Sequence, residues 1–421
     1  MTGRVATAFN KPETANFYQD AAQITGKLKP TEPLYLFCPD ALQARANRFL
    51  THFPGTVSYA VKANPEIRVL ETLAATGLQN FDVASLDEVR RVSEYCPGSI
   101  LHYNNPVKAE EAIAESYLGY GVRSFALDEI SELEKIQRCT GGDPSVTYTV
   151  RFKLAHAGAA YDFGSKFGAT EDYAVELLQA IEKIGGRPAL TFHPGSQCTD
   201  PQMYERYLEA ASRIINRAGN RAGNRAGNRA GNRAGVKPTF INVGGGFPEH
   251  YQGTTIPALE EYFAVISSSM KKYFDRDIPL ICEPGRSMVA SSVSLLARVI
   301  HVRDCGKSLF VNDGVYGGMQ EQSLVDICLP VRAWRSGEAL SATETDYHVF
   351  GPTCDPVDRL SKTTALPKEL RTGDYIEFGL MGAYGSATTT TFNGFSSCTY
   401  VNVLDSTEFL QVQASTGGQE L

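Results

Sequence analysis

Several features that mark other protein classes are missing from this chain. No apolar run approaches the roughly 20 residues of a membrane-spanning helix. The opening stretch, MTGRVATAFNKPETANF, lacks the apolar centre of a signal peptide. No CxxC pair occurs, and the nine cysteines are odd in number, so they fit neither a disulfide framework nor a zinc site. A reducing cytoplasm is the expected compartment. Excess positive charge is also absent. The formal charge of −7 argues against a general nucleic-acid binder and suits a cationic substrate.

What is present is an ordinary folded composition. The 421 residues are 43% apolar and 21% charged, enough for one large domain or two. From about Leu34, short apolar runs alternate with amphipathic segments. The expected strands are residues 56–61, 80–84, 100–103, 124–127, 146–152, 188–192, 240–243 and 279–282. Helical patterns at 41–52, 66–75, 86–95, 107–118, 130–139, 171–183 and 204–215 precede or separate them. Ser85 with Glu88 reads as a capping box, and Asp128 as a plain N-cap. Eight strands alternating with helices predict a (β/α)8 barrel; a doubly wound open sheet is disfavoured only by that count. After Arg286 the apolar runs lie between glycine and proline breaks, which predicts a C-terminal β-rich domain. The expected division is a barrel over 36–286 and a β-rich domain over 287–421, with residues 1–35 packing on the latter.

One segment breaks the pattern. The tetrapeptide NRAG occurs five times in succession over residues 216–235. Glycine at every fourth position costs a helix about 1 kcal/mol per copy. In a barrel a helix-to-strand connection lies opposite the catalytic face, so the array reads as a tolerated insertion, loosely helical. No aromatics interleave with its arginines, which disfavours an RNA contact.

The polar signals gather where barrel strands end. YAVKANP (59–65) places Lys62 at the end of the first strand, where Asn64-Pro65 turn the chain. Burial there would lower the pKa of its ammonium, which suits a lysine holding a carbonyl as a Schiff base. Asp82 and Ser85 follow the second strand, HPGSQ (193–197) the sixth, GGGFP (244–248) the seventh and EPGR (283–286) the eighth. Each has a plainer reading: a snorkelling lysine, a core histidine, a flexible turn, a surface salt bridge. At one barrel mouth, however, they offer an aldehyde anchor, a ring-stacking partner, a phosphate cradle and a carboxylate for a pyridinium nitrogen. Pyridoxal 5′-phosphate (PLP) requires that set.

The ordered motifs YAVKANP, HPGSQ, GGGFP, EPGR, NDGVYG, GPTCDPVD, MGAYG and FNGF, spread over about residues 34 to 400, resemble the fold-type III PLP-dependent decarboxylases of basic amino acids. The resemblance implies an alanine-racemase-like barrel followed by a β domain, in a homodimer whose two active sites are shared across the interface. It implies Lys62 as the Schiff-base lysine, Glu283 as partner of the pyridine nitrogen and His193 as the stacked ring. Ser196, Gly245, Gly246, Gly285, Arg286 and Tyr384 match phosphate-binding positions, and Asp82 would orient neighbouring groups. Cys354 matches the acid that returns a proton to Cα in the neighbouring subunit's site. Asp355 and Asp326 match carboxylates for the substrate's distal amine, and Phe392 a wall of that pocket.

The implied reaction is decarboxylation of L-ornithine to putrescine, with L-lysine to cadaverine, or both, as the alternative. The segment from Asn312 to Asp326 is one residue longer than the family pattern, and Val325 replaces an aromatic. This is the region expected to measure substrate length. A glutamate follows the cysteine in the related diaminopimelate enzymes, so Asp355 favours an amine-ended substrate. A catalytically inactive regulatory homologue would lack Lys62 or Cys354; both are here.

Overall fold

The computed structural model describes residues 17–154, 166–219, 236–275, 277–303, 307–324, 327–341, 343–395 and 398–405. Eight parallel strands close a barrel: Thr56–Ala60, Asn80–Val83, Ile100–Tyr103, Ser124–Leu127, Thr147–Arg151, Arg187–Thr191, Ile241–Asn242 and Leu280–Cys282. The eighth pairs back onto the first through Ile281 and Thr56, so no edge is left open. All eight expected strands form, each within two residues of its expected ends. Helices wrap the barrel because each carries one buried apolar stripe, such as Val69, Leu70 and Leu73 in Ile67–Ala75.

The second unit is a ten-stranded sheet built around the 11-residue strand Val293–Arg303. That strand pairs antiparallel with Leu34–Phe37, Tyr375–Phe378 and Ser308–Val311. The N-terminal strand Phe17–Tyr18 joins the same sheet through Tyr400–Val403. Strands from both ends of the chain therefore complete it. Among the described residues no helix is long and apolar enough to cross a membrane.

Three local expectations are corrected. Asp128 is not the cap of helix Ile130–Cys139: Glu129 is, accepting from the Ile130 amide at 2.8 Å. Asp128 instead accepts from the Gly168 amide at 2.7 Å, because the chain after the fifth strand folds back beside it. The capping box at Ser85 is formed on one side, Ser85 Oγ accepting from Glu88 N at 3.2 Å. The Glu88 carboxylate reaches past the cap to the Ala84 amide at 2.6 Å. The helix expected from residue 107 begins only at Glu110, since Asn105 turns the chain onto the Val107 amide. There the buried Lys108 amine donates to the Ala126 carbonyl at 2.6 Å.

Helix Gln202–Gly219 runs four residues beyond expectation and takes in the first NRAG copy, where Ala218 is buried. The other four copies, residues 220–235, lie outside the described residues, as do Asp326 and the tail 406–421. On the inner face of this helix, Tyr204 stacks on Phe247 with ring centroids 5.1 Å apart, and Tyr207 on Phe192 at 4.7 Å. These aromatics form a rigid wall behind the sixth and seventh strand ends.

Candidate active site

The first strand runs into a 3₁₀ turn, Val61–Ala63, that carries Lys62. Asn64 then locks the turn. Its Oδ1 accepts from the Glu66 amide at 3.0 Å, and its Nδ2 donates to the Gly382 carbonyl at 2.8 Å. The Tyr384 amide donates to the Ala63 carbonyl at 2.8 Å. The YAVKANP turn is thus stitched to the MGAYG segment more than 300 residues away.

Around Lys62 lies a cavity. Lys62, Asp82, His193, Ser196, Gly245, Gly246, Glu283, Gly285, Arg286 and Tyr384 all line it. Tyr204 and Tyr262 brace its wall, donating to the carbonyls of Gly245 and Cys198, each at 2.8 Å. The glycines are required by space. A Cβ on Gly245 would stand 2.6 Å from the Glu283 carbonyl oxygen, and one on Gly246 would collide with the Gly195 carbonyl. Gly246 also holds φ at +91°, where other residues are strained.

Glu283 is fixed from two sides. Asn104 donates to its Oε1 at 2.6 Å, and Asn242 donates to the same oxygen. Burial pushes its carboxyl up to about 8, Asp82 adding to the rise while Lys62 and Asn242 oppose it. Burial likewise raises Asp82, against the pull of Lys62 and Asn104. Lys62 departs from expectation. Burial does act to lower its ammonium, but Tyr384, Asp82 and Glu283 together outweigh that cost and the net shift is upward. The residue is nonetheless exposed by surface area, and it lines the open cavity. His193 behaves oppositely: burial, then Lys62 and Arg151, push it well below its ordinary value, so the ring is neutral. Its Nδ1 accepts from the Gly195 amide at 3.1 Å, which places the ring proton on Nε2.

Cys354, Asp355 and Phe392 do not line the Lys62 cavity. They gather elsewhere with Tyr316. Its hydroxyl donates to Asp355 Oδ2 at 2.6 Å, and its ring lies 4.5 Å from that of Phe392. The Cys354 thiol is exposed and donates to Asn393 Oδ1 at 3.6 Å. The described site residues therefore form two separate groups on one chain.

Residues 40–290 match the family described as pyridoxal-dependent decarboxylase, pyridoxal binding domain. The chain belongs to the pyridoxal-dependent decarboxylases. It is 31% identical to the lysine/ornithine decarboxylase of Selenomonas ruminantium, with 82% of each chain covered. It is also 31% identical to the ornithine decarboxylase of Panagrellus redivivus, over 80% of this chain and 77% of that one. Among solved structures, the Paramecium bursaria Chlorella virus arginine decarboxylase bound to agmatine superposes with a TM-score of 0.78 at 26% identity, covering 90% of this chain and 98% of that one.

As a PLP-dependent decarboxylase this chain has a cavity that fits its cofactor. Arg286 is buried, and its Nε lacks a hydrogen-bond partner among the described residues, as suits a group awaiting an anion. The Gly245–Gly246 backbone leaves room that any side chain would fill.

Sequence reasoning does not single out Asn104, Asn242, Tyr316, Tyr251 or Glu321. Asn104 and Asn242 lie at or just beyond barrel strand ends, a signal as good as that of Asp82. Tyr251 and Glu321, which hold Arg286, carry no local signal. Glu88 stays at the helix start, bonded to the Ala84 amide. Its carboxyl is pushed up to about 7, first by burial and then by Asp82, against the Ala84 amide.

Proposed function

We propose that this enzyme decarboxylates L-ornithine to putrescine, as a homodimer in which one chain's Cys354 group completes the partner's Lys62 cavity. The observation that carries the reading is the convergence of Lys62, Glu283 and Arg286 on one cavity. An amine, a carboxylate and a guanidinium there match an aldehyde, a ring nitrogen and a phosphate. The cofactor supplies an electron sink for the pair left at Cα when carbon dioxide departs.

The chain's own residues do the rest. The Lys62 amine serves as the anchor for the aldehyde. Glu283, kept in one orientation by Asn104 and Asn242, would serve the ring nitrogen, and a pyridinium there would draw its raised carboxyl back to the anion by opposite charge. Neutral His193 would pack on the cofactor ring, and Asp82 would orient Lys62 and Glu283. Ser196, Gly245, Gly246, Gly285, Arg286 and Tyr384 take the phosphate. Decarboxylation consumes one proton at Cα, and the Cys354 thiol delivers it. Asp355, anionic through its bond from Tyr316, pairs with the distal ammonium, with Asp326 as the second carboxylate and Phe392 as the wall.

The split of the site residues into two groups on one chain supports the shared site. Identity with a lysine/ornithine decarboxylase supports L-lysine as a second substrate. Purified holoenzyme should show the absorbance of a lysine-bound cofactor and release putrescine from ornithine faster than cadaverine from lysine. No diamine from either substrate would overturn the reading; faster cadaverine release would reassign the substrate.

A further inference from the structure

Arg286 is the guanidinium of the cavity, and most of it is already taken. Its Nη1 donates to Tyr251 Oη and to Glu321 Oε2, each at 2.7 Å. Its Nη2 donates to Glu321 Oε1. The Arg286 side chain is 5% exposed and that of Glu321 16%, so water screens the pair weakly. Glu321 comes from the 3₁₀ turn Gln320–Ser323 and is not among the residues lining the cavity. It stands behind the arginine. What remains for an anion is the buried Nε–H, which has no partner among the described residues, and the second hydrogen of Nη2.

We infer that Glu321 is an affinity-setting residue: a built-in counter-anion that weakens phosphate capture by Arg286 without touching the phosphate. The inference rests on Arg286 being part of the phosphate site. A carboxylate in bidentate contact cancels most of the guanidinium charge seen from the far edge. A phosphate arriving at that edge gains two hydrogen bonds but little net Coulomb attraction, and it is repelled by Glu321 across the ring. The pair also spares the cofactor-free protein an uncompensated buried charge. The same contact therefore stabilises the unloaded protein and loosens the loaded one.

The test compares cofactor-stripped wild type with Glu321→Gln, which keeps the shape and one acceptor but removes the charge. Both are titrated with PLP and with phosphate-free pyridoxal, and dissociation constants are read from absorbance or fluorescence. PLP should bind roughly ten-fold or more tightly to the variant, with pyridoxal changed by less than about two-fold. The melting temperature of the stripped variant should fall, and its rise on adding inorganic phosphate should exceed that of wild type. Unchanged or weaker PLP binding by a folded Glu321→Gln protein overturns the inference and leaves Glu321 as a brace for the arginine. If that variant does not fold, Glu321→Asp, which withdraws the charge by one methylene, should tighten PLP at least about three-fold; no tightening overturns the inference equally. Arg286→Gln separates the two layers. If it leaves the ratio of PLP to pyridoxal affinity unchanged, the phosphate assignment of Arg286 itself fails.

Discussion

Tyr316 donates its hydroxyl to Asp355 at 2.6 Å, and this bond, with that from the Val357 amide, holds the Asp355 carboxyl below its ordinary value. Under the proposed function Asp355 pairs with a substrate ammonium and must stay ionised, a state that the Tyr316 bond favours. Tyr316→Phe removes the bond and lets the pKa rise. The KM for ornithine should increase roughly three- to ten-fold near neutral pH, with kcat less affected. Steady-state kinetics between pH 5 and 8 check this.

Glu283 works in the opposite sense. Its carboxyl lies at about 8 in the fold against an ordinary 4.5, so it is fully protonated in both folded and unfolded chains only at low pH. As pH rises from 4.5 towards 8 the unfolded chain ionises first, and the cofactor-free fold loses stability across that window. Glu283→Gln escapes the loss. Its stripped form should melt several degrees above wild type at pH 8 and close to it at pH 4.5, by calorimetry. Turnover should nevertheless fall by roughly 100-fold or more, because the proposed partner of the ring nitrogen can no longer take a negative charge.

Cys354→Ala removes the proposed proton donor to Cα. Ornithine turnover should slow, and part of the product should appear as aldehyde through protonation at the wrong carbon. Chromatography of the products, with carbon dioxide release counted separately, measures the partition. Unchanged rate and products would place the acid elsewhere.

Gly246→Ala forces a side chain against the Gly195 carbonyl at a backbone φ of +91°. The strain should cost about 1–3 kcal/mol of stability. PLP should dissociate faster, because Gly246 shares its loop with Gly245, whose carbonyl is fixed by Tyr204. A melting curve and the off-rate of PLP on dilution report the two effects separately.

The barrel was legible because its periodicity is local. Apolar runs such as 124–127 and amphipathic stretches such as 130–139 each specify an element without reference to the rest, and eight of them fill a closed sheet. The strand-end motifs were legible for a related reason: parallel strands send every C-terminal end to one mouth, so Lys62, His193, Gly246 and Glu283 had to meet once the barrel closed. Caps were less legible. Asp128 is the better N-cap by type, and the contact to Gly168, distant in sequence, takes it away and leaves the cap to Glu129.

What the amino-acid order determined by itself, then, was the set of elements and the chemical groups at their ends. The tertiary structure decided the charge states and the partners. Lys62 illustrates the difference: burial alone lowers a lysine, and Tyr384 with the carboxylates of Asp82 and Glu283 beside it reverses the sign. Arg286 and Glu321 are 35 residues apart and belong to no common motif. Their pairing depends on a turn of the β-rich unit reaching the barrel mouth, because Coulomb interactions follow distance in space and sequence spacing does not report it.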